Sequence, residues 1–115
     1  MTGTSPRAHG DRIFQPALPM PQGMPTLPQT FRNNGYQANA IGKIHVYPQR
    51  NRIGFDDVIS YEEGRSNLGS IDDYEIHLAE HGFAGKQNMH GMSQNEFSWT
   101  TWHLEDRYHP TNWIT

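Results

Sequence analysis

With 115 residues, 34% of them hydrophobic, and a mean hydropathy of -0.83, the chain fits one small domain. It has little apolar surface to offset an ordering cost of roughly 1.5 kcal/mol per residue, which predicts partial disorder or a piece of a larger fold. A formal charge of -3 and a pI near 6.1 exclude the basic face that nucleic acid requires. Zero cysteines exclude disulfides, thiolate zinc sites and cysteine nucleophiles among these residues, and no apolar run is long enough to span a membrane.

In chain order, residues 1–14 carry Gly3, Pro6 and Gly10 among few apolar side chains and are expected to be loose. Five of the eight prolines lie from Pro16 to Pro28, so this run is expected to be extended, a surface loop or linker rather than a docking motif. Thr26 opens the first predicted helix, spaced with Gln29 as a capping box, with Pro28 in the first turn and Leu27 and Phe31 on one narrow apolar stripe. Asn34-Gly35 ends it, because glycine accepts the left-handed conformation that closes a helix. Tyr36 to Ile41 is expected to be a short buried strand, followed by the loop Gly42-Lys43-Ile44-His45. In open sheets of alternating strands and helices, ligands bind beyond the carboxyl ends of strands. A cation and an imidazole two residues apart at such an end make Lys43 and His45 a candidate anion site.

Further on, Gln49-Arg50-Asn51-Arg52 is polar, Phe55 to Tyr61 has the β-branched and aromatic content of a strand, and Glu62 to Gly69 reads as loop. Ser70 and Asp73 have capping-box spacing for a second helix, with Asp72-Asp73 at its positive end and Gly82 as its stop. Ile71, Tyr74 and Leu78 are expected on its buried side. Beyond Gly85 the chain is irregular and rich in aromatics, ending in a helix entrance with Pro110 near its first turn. The expected organisation is a loose proline-rich segment over 1–25, helix, strand, loop, strand, helix over 26–85, and an irregular segment over 86–115.

Other chemical side chains have plainer readings. His77 and His81 are one helical turn apart, a spacing that can serve a metal, yet Leu78 stands where a protease-type zinc helix carries Glu, so both are read as a polar helix face. Asp56-Asp57 and Asp72-Asp73 are oxygen donors of the kind calcium takes, but are read as loop and cap residues. His9 and His109 sit in loops and could line a pocket, and Phe97, Trp99, Trp102 and Trp113 are read as packing against parts of a larger domain rather than as a sugar-stacking surface. No metal ligands are assigned in the chain.

The stretch Gly35-Tyr36 through Gly42-Lys43-Ile44-His45 resembles the second signature of the sulfatase family. Ala38 stands where that pattern usually has Ser or Thr, and Ile44 where it more often has an aromatic residue or Met. The helix before the strand and Tyr47-Pro48 after it extend the likeness, and Met1-Thr2-Gly3 resembles the continuation of the family's Cys/Ser-x-Pro-x-Arg signature. The resemblance implies an internal fragment of an α/β domain, an alkaline-phosphatase-like mixed sheet with flanking helices and long irregular loops. It implies hydrolysis of sulfuric esters, with Lys43 contacting sulfate and His45 serving a formylglycine nucleophile. It also implies calcium or magnesium and formylglycine in the intact protein, a sulfated small molecule or glycan as partner, and neither nucleic acid nor membrane. On this reading the chain lacks the nucleophile and metal ligands and is inactive alone. Two alternatives are a phosphate or phosphonate monoester hydrolase of the same superfamily and a small non-enzymatic proline-rich binding protein.

Overall fold

Two short parallel strands hold the centre of the chain, β1 (Asn39–Gly42) and β2 (Asp57–Ser60), paired in the register Asn39↔Asp57 through Gly42↔Ser60. The computed structural model describes residues 1–10, 19–63, 70–89 and 100–115. Around the strands lie α1 (Pro6–His9), α2 (Leu27–Asn33), α3 (Asp73–Glu80), a 3-10 turn (Asp106–Tyr108) and α4 (Pro110–Ile114). The result is a mixed α/β architecture. The connection between the strands, residues 43–56, contains no helix, yet it reaches the dozen or so residues that a parallel crossover requires.

The α2 helix starts where its cap residue predicts. The Thr26 hydroxyl accepts from the Gln29 backbone N–H at 3.3 Å, while the Gln29 side chain turns to Asn33 at 2.8 Å, so only half of the capping box forms. At the other end Gly35 adopts φ 84, its N–H donates to the Arg32 carbonyl, and Tyr36 N–H donates to the Phe31 carbonyl. The Phe31 and Tyr36 rings then meet edge to face at 5.7 Å, the apolar contact that accompanies this kind of stop. The end of α3 repeats the arrangement: Gly82 has φ 83, Gly82 N–H reaches Ala79 O, and Phe83 N–H reaches Leu78 O.

Several expectations shift. A helical turn, α1, forms within residues expected to be loose, because Pro6 supplies a helical φ at its start and Gly10, at φ 82, closes it onto the Pro6 carbonyl at 3.0 Å. The first strand begins at Asn39 rather than Tyr36, since Tyr36 and Gly35 are spent on the helix stop. It is not a buried strand: Ile41 is exposed, as is its register partner Ile59, because a two-stranded sheet leaves that face uncovered. The second strand is shorter than Phe55 to Tyr61, covering Asp57–Ser60. The α3 cap is Asp72, not Ser70; its carboxylate accepts from Glu75 N–H at 2.8 Å, which leaves Ile71 outside the helix and exposed while Tyr74 and Leu78 are buried. The 3-10 turn and α4 occupy part of the segment expected to be irregular.

Tyr74, Leu78 and Tyr108 form the apolar core, with Tyr61, Phe83, Leu104 and Trp113 packed around it. The Tyr74 hydroxyl donates to the Tyr108 carbonyl at 2.6 Å inside this cluster, joining α3 to the 3-10 turn. Trp113 packs on Tyr74 with ring centroids 5.2 Å apart, so this tryptophan has a packing partner within the chain itself. The expectations for Phe97 and Trp99 fall outside the described residues.

Candidate functional site

The site is built at the carboxyl ends of the parallel strands. Because Gly42 pairs with Ser60, and Tyr61 N–H donates to the Gly42 carbonyl at 3.1 Å, the residues that follow the two strands leave the sheet side by side. On the β1 side these are Lys43, Ile44 and His45. On the β2 side they are Tyr61, Glu62 and Glu63.

Lys43 is exposed, and its Nζ lies 2.6 Å from Glu63 Oε2. His45 is half-buried, with its Nε2 screened from solvent. Its backbone has φ 51 and that of Glu63 φ 59, left-handed values that cost a residue with a Cβ roughly 1–2 kcal/mol. Such geometry persists only where surrounding bonds over-determine it. At His45 those bonds come from Glu62, which is 1% exposed: Oε1 accepts from Ile44 N–H at 3.0 Å and from His45 N–H at 3.0 Å, and Oε2 is 3.2 Å from the latter nitrogen.

The strand ends are in turn tied to the start of α3. Glu62 N–H donates to Asp72 Oδ2 at 2.7 Å, and Asp73 Oδ2 accepts from Ser60 N–H at 2.6 Å and from its hydroxyl at 3.1 Å. Arg50 completes the junction, with Nη1 2.6 Å from Asp73 Oδ1 and Nη2 donating to the Ile71 carbonyl at 2.9 Å. Burial pushes the Asp72 carboxyl up, more strongly than the Glu75 and Glu62 N–H bonds pull it down. Burial acts the same way on Asp73, but there the bonds from Ser60 and Arg50 prevail and hold the carboxyl below its usual range. The Tyr61 hydroxyl is pushed up to about 12, by burial first and then by the charges of Glu63 and Asp72.

Lys43 and His45 therefore share one loop, and a neighbouring loop brings two carboxylates to them. Reading Glu62-Glu63 as plain loop missed this. The available signal was a pair of acids placed directly after a strand.

The remaining candidates have structural work. Asp56 accepts from Ala38 N–H at 2.9 Å and pairs with Arg32 at 2.7 Å, fixing α2 to the start of β1, and Asp57 pairs with Arg52 at 3.2 Å. The His77 and His81 rings lie 4.4 Å apart, tilted by 49°, and sit against Tyr108 at 6.0 and 5.4 Å, so they flank the aromatic core rather than forming a polar face opposite it. Burial and then the His81 charge hold the His77 pKa down. His109 lines a cavity of about 340 Å³ with Tyr61, Gln87 and Trp102, and caps α4 by accepting from Thr111 N–H at 3.2 Å. His9 lies in the last turn of α1. Among the described residues no group of three or more His, Asp or Glu side chains could hold a metal ion, and no helix is long and apolar enough to cross a membrane.

Comparison with known proteins agrees with this architecture. An arylsulfatase of Clostridium perfringens (strain 13 / Type A) is 28% identical over 126 residues, an alignment covering 99% of this chain and 26% of that protein. The chain thus spans about a quarter of the length of the curated relative it matches. A sequence model described as Sulfatase matches residues 1–104, a span that includes both strands, α3 and the Lys43–His45 loop. These matches favour neither a phosphate monoester hydrolase nor a proline-rich binding protein. The parallel strands and flanking helices are part of an alkaline-phosphatase-like α/β domain, and the chain belongs to the sulfatase family.

Proposed function

We propose that Lys43 and His45 form the sulfate-contacting half of the site of a sulfuric-ester hydrolase. The observation that supports this most directly is their placement: an ammonium and an imidazole on one loop at the carboxyl end of a parallel strand, inside the span matched by the sulfatase family. The Lys43 ammonium offsets the charge on sulfate oxygens, a contribution that grows as bond cleavage moves charge onto them. The His45 imidazole serves as a proton donor or acceptor on the same loop. The substrate is a sulfate ester of a small molecule or glycan.

Family members use a divalent metal and a formylglycine made from cysteine or serine. The described residues do not fit calcium or magnesium, since they offer no cluster of three carboxylate or imidazole donors, and of the two formylglycine precursors the chain contains serine but no cysteine. No step is therefore routed through either group. On this reading the Lys43–His45 loop supplies anion recognition, and turnover needs a metal and a nucleophile beyond that loop.

Titration of the 15N-labelled chain with inorganic sulfate tests this reading. The amide signals of Lys43, Ile44 and His45 are expected to move, and the movement is expected to vanish in Lys43→Ala and weaken in His45→Ala. Signals that stay in place, or that move equally in Lys43→Ala, would reject it. Arylsulfate hydrolysis by the purified chain with added calcium or magnesium is expected to be absent, and turnover there would show that the site is complete.

A further inference from the structure

Resting on the reading of Lys43 and His45 as the sulfate half of the site, we propose that Glu62 is a positioning residue, holding the Lys43–His45 loop in its binding shape and coupling that loop to the N-terminus of α3. Neither the family resemblance nor the Lys-x-His spacing assigns it any role.

Three observations converge on Glu62. It is 1% exposed, although it follows an exposed two-stranded sheet and belongs to a residue type that is almost never fully buried unless paired. Its carboxylate is spent on the backbone of the opposite loop, accepting from Ile44 N–H and His45 N–H at 3.0 Å each. The residue it grips hardest, His45, has φ 51, a conformation that a non-glycine residue keeps only when something holds it.

The same residue is held from behind. Its own N–H donates to Asp72 Oδ2 at 2.7 Å, and Asp72 Oδ1 accepts from Glu75 N–H at 2.8 Å as the cap of α3. A continuous hydrogen-bonded path thus runs from the first turn of α3, through Asp72 and Glu62, to the backbone of His45. Glu62 touches neither sulfate nor a reacting atom on this reading. It acts through the loop, by fixing where the Lys43 and His45 side chains start.

A carboxylate suits this task because it is acceptor-only, so two converging N–H groups both find a lone pair. In Glu62→Gln the amide oxygen can still accept both bonds that Oε1 accepts, but the NH2 that replaces Oε2 faces the His45 N–H, 3.2 Å from that position. The test uses the 115-residue chain, reading amide hydrogen exchange by NMR and affinity for inorganic sulfate. In E62Q, exchange at His45 is expected to accelerate about tenfold, with Tyr74 and Leu78 unchanged. Sulfate affinity is expected to fall by about tenfold. Glu62→Asp, which keeps the charge on a shorter arm, is expected to fall between wild type and E62Q in both measurements.

Unchanged exchange at His45 in E62Q overturns the proposal. So does wild-type sulfate affinity in E62Q when Lys43 and His45 of the parent chain respond to sulfate. If the parent chain does not respond, the sulfate reading fails by itself, and the exchange rates alone decide whether Glu62 holds the loop. If E62Q does not fold, lost protection at Tyr74 and Leu78 reveals it, and E62D decides: wild-type values in both measurements overturn the proposal.

Discussion

Lys43 Nζ and Glu63 Oε2 lie 2.6 Å apart, joining the loop after β1 to the loop after β2. An anion approaching Lys43 meets a carboxylate already in place, so Glu63 competes for the ammonium and repels the ligand. The Lys43 and Glu63 side chains are 39% and 30% exposed, which limits such a pair to roughly 0.2–1 kcal/mol. Glu63→Gln is therefore predicted to tighten sulfate binding by up to about fivefold, with the gain shrinking as ionic strength rises. Titration of both chains with sulfate at low and high sodium chloride checks this, and weaker binding in the variant would contradict it.

Gly54 is predicted to tolerate no side chain. Its φ is 102, and a Cβ built there would lie 2.5 Å from Thr26 Oγ1 and 2.9 Å from the Gln29 nitrogen. Those atoms cannot easily yield, because the Thr26 hydroxyl both donates to the Ile53 carbonyl at 2.7 Å and caps α2. Left-handed strain of about 1–2 kcal/mol and overpacking of about 1–3 kcal/mol combine in Gly54→Ala to a loss of roughly 2–5 kcal/mol. A urea midpoint within error of the parent chain's would refute the close approach.

Tyr74→Phe isolates the hydrogen bond that joins α3 to the 3-10 turn. The ring stays in the core, but the Tyr108 carbonyl loses the hydroxyl that donates to it at 2.6 Å. A buried acceptor left without its donor costs about 1–3 kcal/mol. Chemical denaturation of the variant is expected to register that loss, with near-UV signals of the packed aromatics retained.

The two neighbouring acids of α3 are predicted to respond to pH with opposite signs. The Asp73 carboxyl is held low, so its contribution is present above the unfolded value of about 3.9 and is lost as pH falls through the folded value. Asp72 is pushed up, so its contribution is full below about 3.9 and is lost as pH rises through the folded value. Compared with the parent chain, Asp73→Asn should be more damaging at about pH 7 than at about pH 3, and Asp72→Asn the reverse. Urea midpoints at the two pH values measure both slopes, and slopes of equal sign would contradict the assignment.

How much of this could be read from residues alone depended on the range of the interaction. Thr26, Gly35 and Gly82 were legible because a cap or a left-handed stop is settled within four or five residues by backbone geometry. Ser70 misled for the same reason: both it and Asp72 have capping chemistry, and the choice went to Asp72, whose other carboxylate oxygen also binds Glu62 N–H across the fold. Ile71 and Ile41 looked like core residues by type, but burial depends on which surfaces meet, and both remain exposed.

The Lys43-x-His45 spacing and the sulfatase likeness came from sequence by itself, since covalent neighbours on one loop stay neighbours in any fold. The surroundings of that loop did not. Ile44 and Glu62 are 18 positions apart and meet only because β1 and β2 run parallel with Gly42 opposite Ser60. A register shift of a single residue would displace the loop after β2 relative to the loop after β1 and part Glu62 from Ile44 and His45. Local chemistry therefore named the two residues of the candidate site, while strand register and the α3 cap decided which buried carboxylate meets the backbone of their loop.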